Sequence, residues 1–277
     1  MMNPSTEPSA TQAARRAQSF SQARTPVWAA AACAALLFVA APCHAASEEI
    51  QVYMDDMRAP GQLGVDVHNN YVASGRRQAE YAGEQAPGKV YRLTPEFAYG
   101  LTRNLELGVY VLTSRSATGD LNADGVKARI KYIASHDAEA GAFWGANLEV
   151  GKTSRRVSDS PWNAELKGIF GYRAGPWTLA VNPNLDWSIG SRAGPVTGDI
   201  DIKFNRSLDA KTQVGIESYN ELGPISNLQS LRKNAKTIYA VVDHDFAGWD
   251  LNAGIGRGLT TEADRWTVKF IVGRNFW

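Results

Sequence analysis

Nine charged side chains stand at alternate positions in short runs whose other members are apolar or small. Lys127, Arg129 and Lys131 form a basic row, Asp199 and Asp201 an acidic one, and Arg92 with Glu96 and Glu165 with Lys167 are mixed pairs. A two-residue period places such groups on one face of an extended chain and the intervening residues on the other. Opposed charges across a narrow enclosed space set up a field that orients and selects polar or charged solutes. The same spacing also lets buried charges neutralise one another in pairs without any transport role. The nine residues are therefore candidate lining groups as a set, whereas for any one of them mutual neutralisation is the favoured reading.

Covalent and metal chemistry has a thinner basis. Outside the N-terminal leader described below, the histidines are His68, His136 and His244. A serine nucleophile needs a histidine within hydrogen-bond reach and a third group to orient it, and no elbow motif supplies one. His244 lies between Asp243 and Asp245, but metal ligation wants several ligands at defined spacing. No catalytic residue, metal ligand or cofactor is expected.

The compartment is set by the first 45 residues. Arg15, Arg16 and Arg24 precede an apolar run from Val27 to Ala41, and Cys43-His44-Ala45 ends it with small residues. That run is shorter than the roughly 20 residues a spanning helix needs, so it reads as a signal peptide cleaved after Ala45. Lipidation at Cys43 is disfavoured by Pro42 directly before it. Both cysteines, Cys33 and Cys43, belong to the leader, which leaves no thiol chemistry to the mature chain. Removing the leader's three arginines and single acid from 29 basic and 28 acidic residues leaves 26 and 27. That balance gives no reason to expect nucleic acid.

Position of the charged rows depends on strands, and twelve can be drawn. The run Trp177 to Ile189 shows the pattern plainly: each odd position except Pro183 carries an apolar side chain, and the even ones are mostly polar or small. Similar rows begin near Gln62, Lys89, Leu105, Gly125, Trp144, Trp162, Ile200, Thr212, Thr237, Trp249 and Trp266. The tenth, Ile238-Tyr239-Ala240-Val241-Val242, is apolar on both faces and does not declare its outside. Aromatic residues near the row ends and the even count predict an all-β fold, a closed antiparallel transmembrane β-barrel. Closure pairs every backbone donor and acceptor within the sheet. The expected division is a signal peptide over 1–45, an acidic lead-in over 46–61 and a barrel over 62–277. The lead-in, with Glu48, Glu49, Asp55 and Asp56, stays in the periplasm or enters the pore.

Barrels of this class have short periplasmic turns and longer outer loops. The connections at Ala174-Gly175-Pro176 and Ala247-Gly248 are tight, whereas Ala73 to Gly88, Ser114 to Asp124 and Asn220 to Ala235 are long, in the expected alternation. Ala134 to Gly141 breaks the rule, which points to a strand boundary shifted by a few residues. Pro95 and Pro183 lack a ladder donor and predict bulges or strand ends. The final row, Trp266, Val268, Phe270 and Val272, passes through Arg274 to Phe276 rather than to Trp277. A terminal bulge or a one-residue slip would bring the last aromatic into phase for the barrel-assembly machinery.

The segments Ala59-Pro60-Gly61-Gln62-Leu63, His68-Asn69-Asn70-Tyr71-Val72, Arg92 through Leu101, and Leu105-Glu106-Leu107-Gly108 resemble a proteobacterial outer-membrane family. This is the transporter-like group associated with the meta-pathway of phenol degradation. The resemblance is densest from Ala59 to Val111 and implies a barrel admitting small, aromatic or otherwise apolar solutes. It carries over no catalytic residue. The expectation is a porin-like channel in the outer membrane of a Gram-negative bacterium, exported through the secretory pathway, with a closed structural or binding barrel as alternative and a hydrolase as a distant third. Its partners would be a small-molecule solute and outer-membrane lipid. Arg76-Arg77, Arg155-Arg156 and Arg232-Lys233 in the outer loops would either meet lipopolysaccharide phosphates or stay solvated. The apolar outside suits lipid or a protomer contact alike.

Overall fold

The computed structural model describes residues 49–190, 193–228 and 234–276. The leader, the Arg232-Lys233 pair and Trp277 lie outside them. Twelve strands follow in order: β1 (Leu63–Ser74), β2 (Tyr91–Gly100), β3 (Leu105–Arg115), β4 (Leu121–Ile133), β5 (Gly141–Thr153) and β6 (Trp162–Ala174). The second half is β7 (Trp177–Ile189), β8 (Thr197–Ser207), β9 (Thr212–Pro224), β10 (Lys236–Phe246), β11 (Trp249–Gly258) and β12 (Trp266–Asn275). Each pairs antiparallel with its sequence neighbours, and β1 pairs with β12 to close the barrel. No strand edge is left unpaired by this order, which removes the main hazard of an open sheet.

The usual distribution of polarity is inverted. Phe97, Leu107, Val109, Trp144, Phe170 and Ile216 are exposed, while His68, Glu106, Asn147, Glu217 and Lys269 are buried. Such a surface suits hydrocarbon outside a polar interior. Aromatic side chains mark both rims. Trp177 stacks on Phe204 at 5.1 Å near the turns, as Trp266 lies under Arg257 at 4.8 Å near the loops.

Three expectations about the strands need correction. Pro95 and Pro183 are not bulges: the β2–β3 and β6–β7 registers continue past them without a shift, and each proline faces only a short gap in one ladder. Bulges occur instead at Ala73, Asp124 and Leu222, the residues skipped in the registers of β1, β4 and β9. The bulge at Asp124 reverses the phase of β4, so outward Leu121 (83% exposed) and outward Val126 fall on positions of opposite parity. That reversal hid the first four residues of β4, and the connection from β3 is a short hairpin over 116–120 rather than a long loop. The connection after β4 spans 134–140: β4 ends at Ile133 as expected, and β5 starts at Gly141, ahead of the row that begins near Trp144.

The barrel end follows the pattern without adjustment. No register shift occurs in β12 near its end, so Arg274 faces outward, its guanidinium over the rings of Trp249 at 4.9 Å and Phe276 at 5.9 Å. The two rings give the charge a favourable cation–π environment on an otherwise apolar face.

Candidate functional site: the barrel interior

The inward rows carry all nine charged candidates, and the structure brings them into pairs. Arg129 donates to Glu106 at 2.7 Å and to Glu96. Lys131 lies 3.3 Å from Glu106, and Lys127 lies 4.0 Å from Glu149. Across the barrel, Lys167 contacts Glu165 at 3.2 Å and Asp201 at 3.9 Å, and Asn184 donates to Asp199 and Asp201. Arg92 is buried in the same interior. The basic row on β4 is thus met by acids on β2, β3 and β5 rather than left to face an open space. Several of these partners were not singled out from the sequence. Glu106 sits between Leu105 and Leu107, Lys269 between Val268 and Phe270, and Glu217 beside Ile216, so alternation alone marks them as inward.

No strand periodicity marks the remaining participants, which belong to residues 49–61. From the turn end, Gly61 N–H bonds the Gly100 carbonyl at 2.8 Å, and the Arg58 N–H bonds Glu106 at 2.7 Å. Lys131 donates to the Asp56 carbonyl at 2.7 Å. Asp55 accepts from Arg173 at 2.6 and 2.5 Å, and His136 Nε2 lies 2.6 Å from it. This contact accounts for the long connection after β4, which presents His136 to the segment.

Tyr53 forms the next set of contacts. Its backbone N–H and carbonyl both bond the Asn182 side chain, and its hydroxyl meets the Tyr110 hydroxyl at 2.6 Å and donates to Glu149 at 3.3 Å. Lys167, Lys131 and Arg129 lie 5.0, 5.6 and 5.9 Å from its ring centroid. Three cations over one ring combine cation–π attraction with their own carboxylate pairing. Farther along, Lys269 donates to the Ile50 carbonyl at 3.1 Å and is paired with Glu217, which also meets Lys203 at 3.2 Å.

Apolar contact reinforces the polar bonds. Val52 and Tyr53 pack against inward Ile133, Phe143, Ile169 and Ala180, and Ile50 packs against Tyr239 and Val241. The tenth row was ambiguous for this reason: Tyr239 and Val241 face inward onto Ile50, while Val242 faces out.

The histidines are distributed among these contacts. His68 Nε2 lies 3.3 Å from Glu96, and Glu49, His68 and Glu96 bring potential ligand atoms within 4.8 Å of one another. Glu96 is already paired with Arg129 there, so one of the three carries a competing cation. His244 Nδ1 lies 3.1 Å from the Thr212 hydroxyl. In the outer loops, Arg76 pairs with Glu84 at 2.6 Å, Arg156 with Asp124 at 2.9 Å, and Arg155 with Asp159.

A closed twelve-stranded barrel with a charged interior and an apolar outside can be compared with solved structures. The fold is that of outer-membrane barrels. An outer-membrane channel from Pseudomonas putida F1 superposes with a TM-score of 0.58 at 14% identity, over 82% of this chain and 100% of that one. The KdgM porin gives 0.48 at 9% identity, over 77% and 98% of the two chains. The NanC porin gives 0.49 at 9%, over 76% and 97%. No family model and no curated protein matches the sequence. At these identities the likeness concerns architecture, and the interior side chains must be read on their own terms.

Proposed function

We propose that this chain is an outer-membrane channel for small solutes, closed at rest by residues 49–61. The observation that carries the reading is Tyr53, bonded through its backbone to β7 and through its hydroxyl to β3 and β5. A segment held across the interior by both backbone and side chain blocks passage until it moves. In this reading the turns and the lead-in face the periplasm and the longer loops face outward. The leader is removed on export, and the barrel-assembly machinery and lipopolysaccharide are its partners in the membrane. The test is conductance in planar bilayers. The mature chain should be nearly silent, and a variant lacking 49–57 should conduct steadily; a deletion variant that folds and stays silent would overturn the channel reading.

That outcome would favour a second reading, a closed barrel with a structural or binding role. The dense ion pairing of the inward rows supports it, because paired charges fill space as well as they line a path. Neither reading assigns catalysis. A lipid-hydrolysis assay on the mature protein, with His68→Ala and His244→Ala as controls, tests this.

The finer reading is membership of the transporter-like group tied to aromatic catabolism, with aromatic or apolar solutes. It is supported by the resemblance of Ala59 to Val111. Growth of a deletion strain on single aromatic carbon sources tests it, and undiminished growth on all of them counts against it.

A further inference from the structure

The loop end of the interior holds an open cleft bordered by Lys127, Glu149, Glu165 and Asp186 together with Ser158 and Ser188. Two of its acids, Glu165 and Asp186, are directly opposed in the β6–β7 register. Two carboxyls facing each other across a ladder cannot both carry charge without destabilising it, so this pair is unfavourable for folding alone. On the adjoining strand are Asp199 and Asp201, which share the amide of Asn184. Lys167, between Glu165 and Asp201, and Lys127, 4.0 Å from Glu149, are the cations beside this group of carboxylates. Arg129 stands opposite Glu149 in register but directs its guanidinium to Glu96 and Glu106.

A second observation points the same way. Asn184, only 4% exposed, directs its N–H donors to the two aspartates, while its carbonyl Oδ1 is buried with no hydrogen-bond donor. The cluster is therefore rich in acceptors and short of donors. A primary ammonium brings one positive charge and three donors.

We propose that this pocket binds a small hydroxylated solute bearing a primary ammonium group, with Glu165 and Asp186 taking the ammonium and Ser158 and Ser188 the hydroxyls. The inference rests on the channel reading and names its solute class. Glu149 lines the pocket and also accepts the Tyr53 hydroxyl. An ammonium drawn to Glu149 competes with that hydroxyl, so occupancy of the pocket loosens the hold on residues 49–61.

The experiment is calorimetric titration of the full mature protein in detergent with glucosamine and with N-acetylglucosamine, which keeps the hydroxyls and loses the charge. Glucosamine should bind about tenfold or more tightly than the acetylated sugar, as expected when a charged hydrogen bond is lost. Glu165→Gln and Asp186→Asn should each remove most of that preference. Asp186→Asn should also leave the thermal midpoint equal or higher, because the acid–acid contact is relieved while the Glu165–Lys167 pair is kept; this separates loss of binding from loss of fold. Equal affinity for the two sugars, no heat with glucosamine, or a preference unchanged in both variants would overturn the proposal. Conductance of the 49–57 deletion with no glucosamine binding would overturn this inference alone. Glucosamine binding by a barrel that stays silent after the deletion would support the pocket and overturn the channel reading.

Discussion

The Asn182 side chain accepts the Tyr53 N–H at 2.6 Å and donates to the Tyr53 carbonyl at 3.1 Å, so one amide on β7 does for the lead-in what a neighbouring strand would do. Both backbone groups are thereby satisfied in the interior without the segment joining the sheet. Asn182→Ala leaves both unpaired, at a cost of about 1–3 kcal/mol for each buried group. The expected outcome is faster proteolytic cleavage near Tyr53 and more frequent conductance openings, with the barrel's own melting little changed. Cleavage and opening rates equal to those of the unaltered protein would dissociate Asn182 from closure.

Glu217 neutralises two lysines at once. It is paired with Lys269 and lies 3.2 Å from Lys203, and all three are buried. Removing one partner of a buried ion pair typically costs about 3–5 kcal/mol, because the remaining charge is left uncompensated. Glu217→Ala should therefore lower the thermal midpoint in detergent, and adding Lys269→Met should restore much of the loss. A double variant as unstable as the single one would contradict this account.

The clasp at Asp55 makes closure depend on pH. Burial raises the Asp55 carboxyl, but hydrogen bonds from Arg173 and His136 outweigh burial and hold it below its ordinary 3.8. His136 is held above its ordinary 6.5, first by the hydrogen bond to the Ala134 carbonyl and then, against burial, by Asp55. The carboxylate's contribution is fully present above 3.8 and is lost as pH falls through the lowered value. The imidazolium's contribution is fully present below 6.5 and is lost as pH rises through the raised value. Protease resistance of residues 49–61 should be greatest between those limits and should decline on both sides. His136→Gln should abolish the alkaline decline and spare the acid one; an alkaline decline persisting in that variant would remove His136 from the clasp.

Gly171 makes room for Phe143. A Cβ at position 171 would lie 2.0 Å from the Phe143 ring, which packs inward against Val52 and Tyr53 in the same cluster. Gly171→Ala forces that ring to move, at about 1–3 kcal/mol for an overpacked site. Its expected signature is a lower melting temperature together with easier proteolysis of the lead-in. Gly175→Ala, with open space around its Cβ position but φ at +56°, controls for backbone strain without the ring contact.

Much of the barrel was legible in the chain because lipid on one side and water or ions on the other impose a two-residue period. Leu105-Glu106-Leu107 and Val268-Lys269-Phe270 each state which side chain faces in. The reading failed where the period itself was interrupted. At Asp124 a bulge exchanges the faces of β4, and at Tyr239 and Val241 the inside is apolar because it meets Ile50. Neither event leaves a local mark, since each depends on what lies across a register or across the interior.

The amino-acid sequence by itself determined the all-β class, the approximate places of twelve strands and the inward orientation of the nine charged candidates, because alternation is a local property of an extended backbone. Tertiary structure decided which of those charges meet. Arg129 finds Glu96 and Glu106, and Asp55 finds Arg173 and His136, only once the sheet has closed. The lead-in's course was decided in the same way: its contacts come from strands as far as 219 residues away, brought around residues 49–61 by barrel curvature that no short segment encodes.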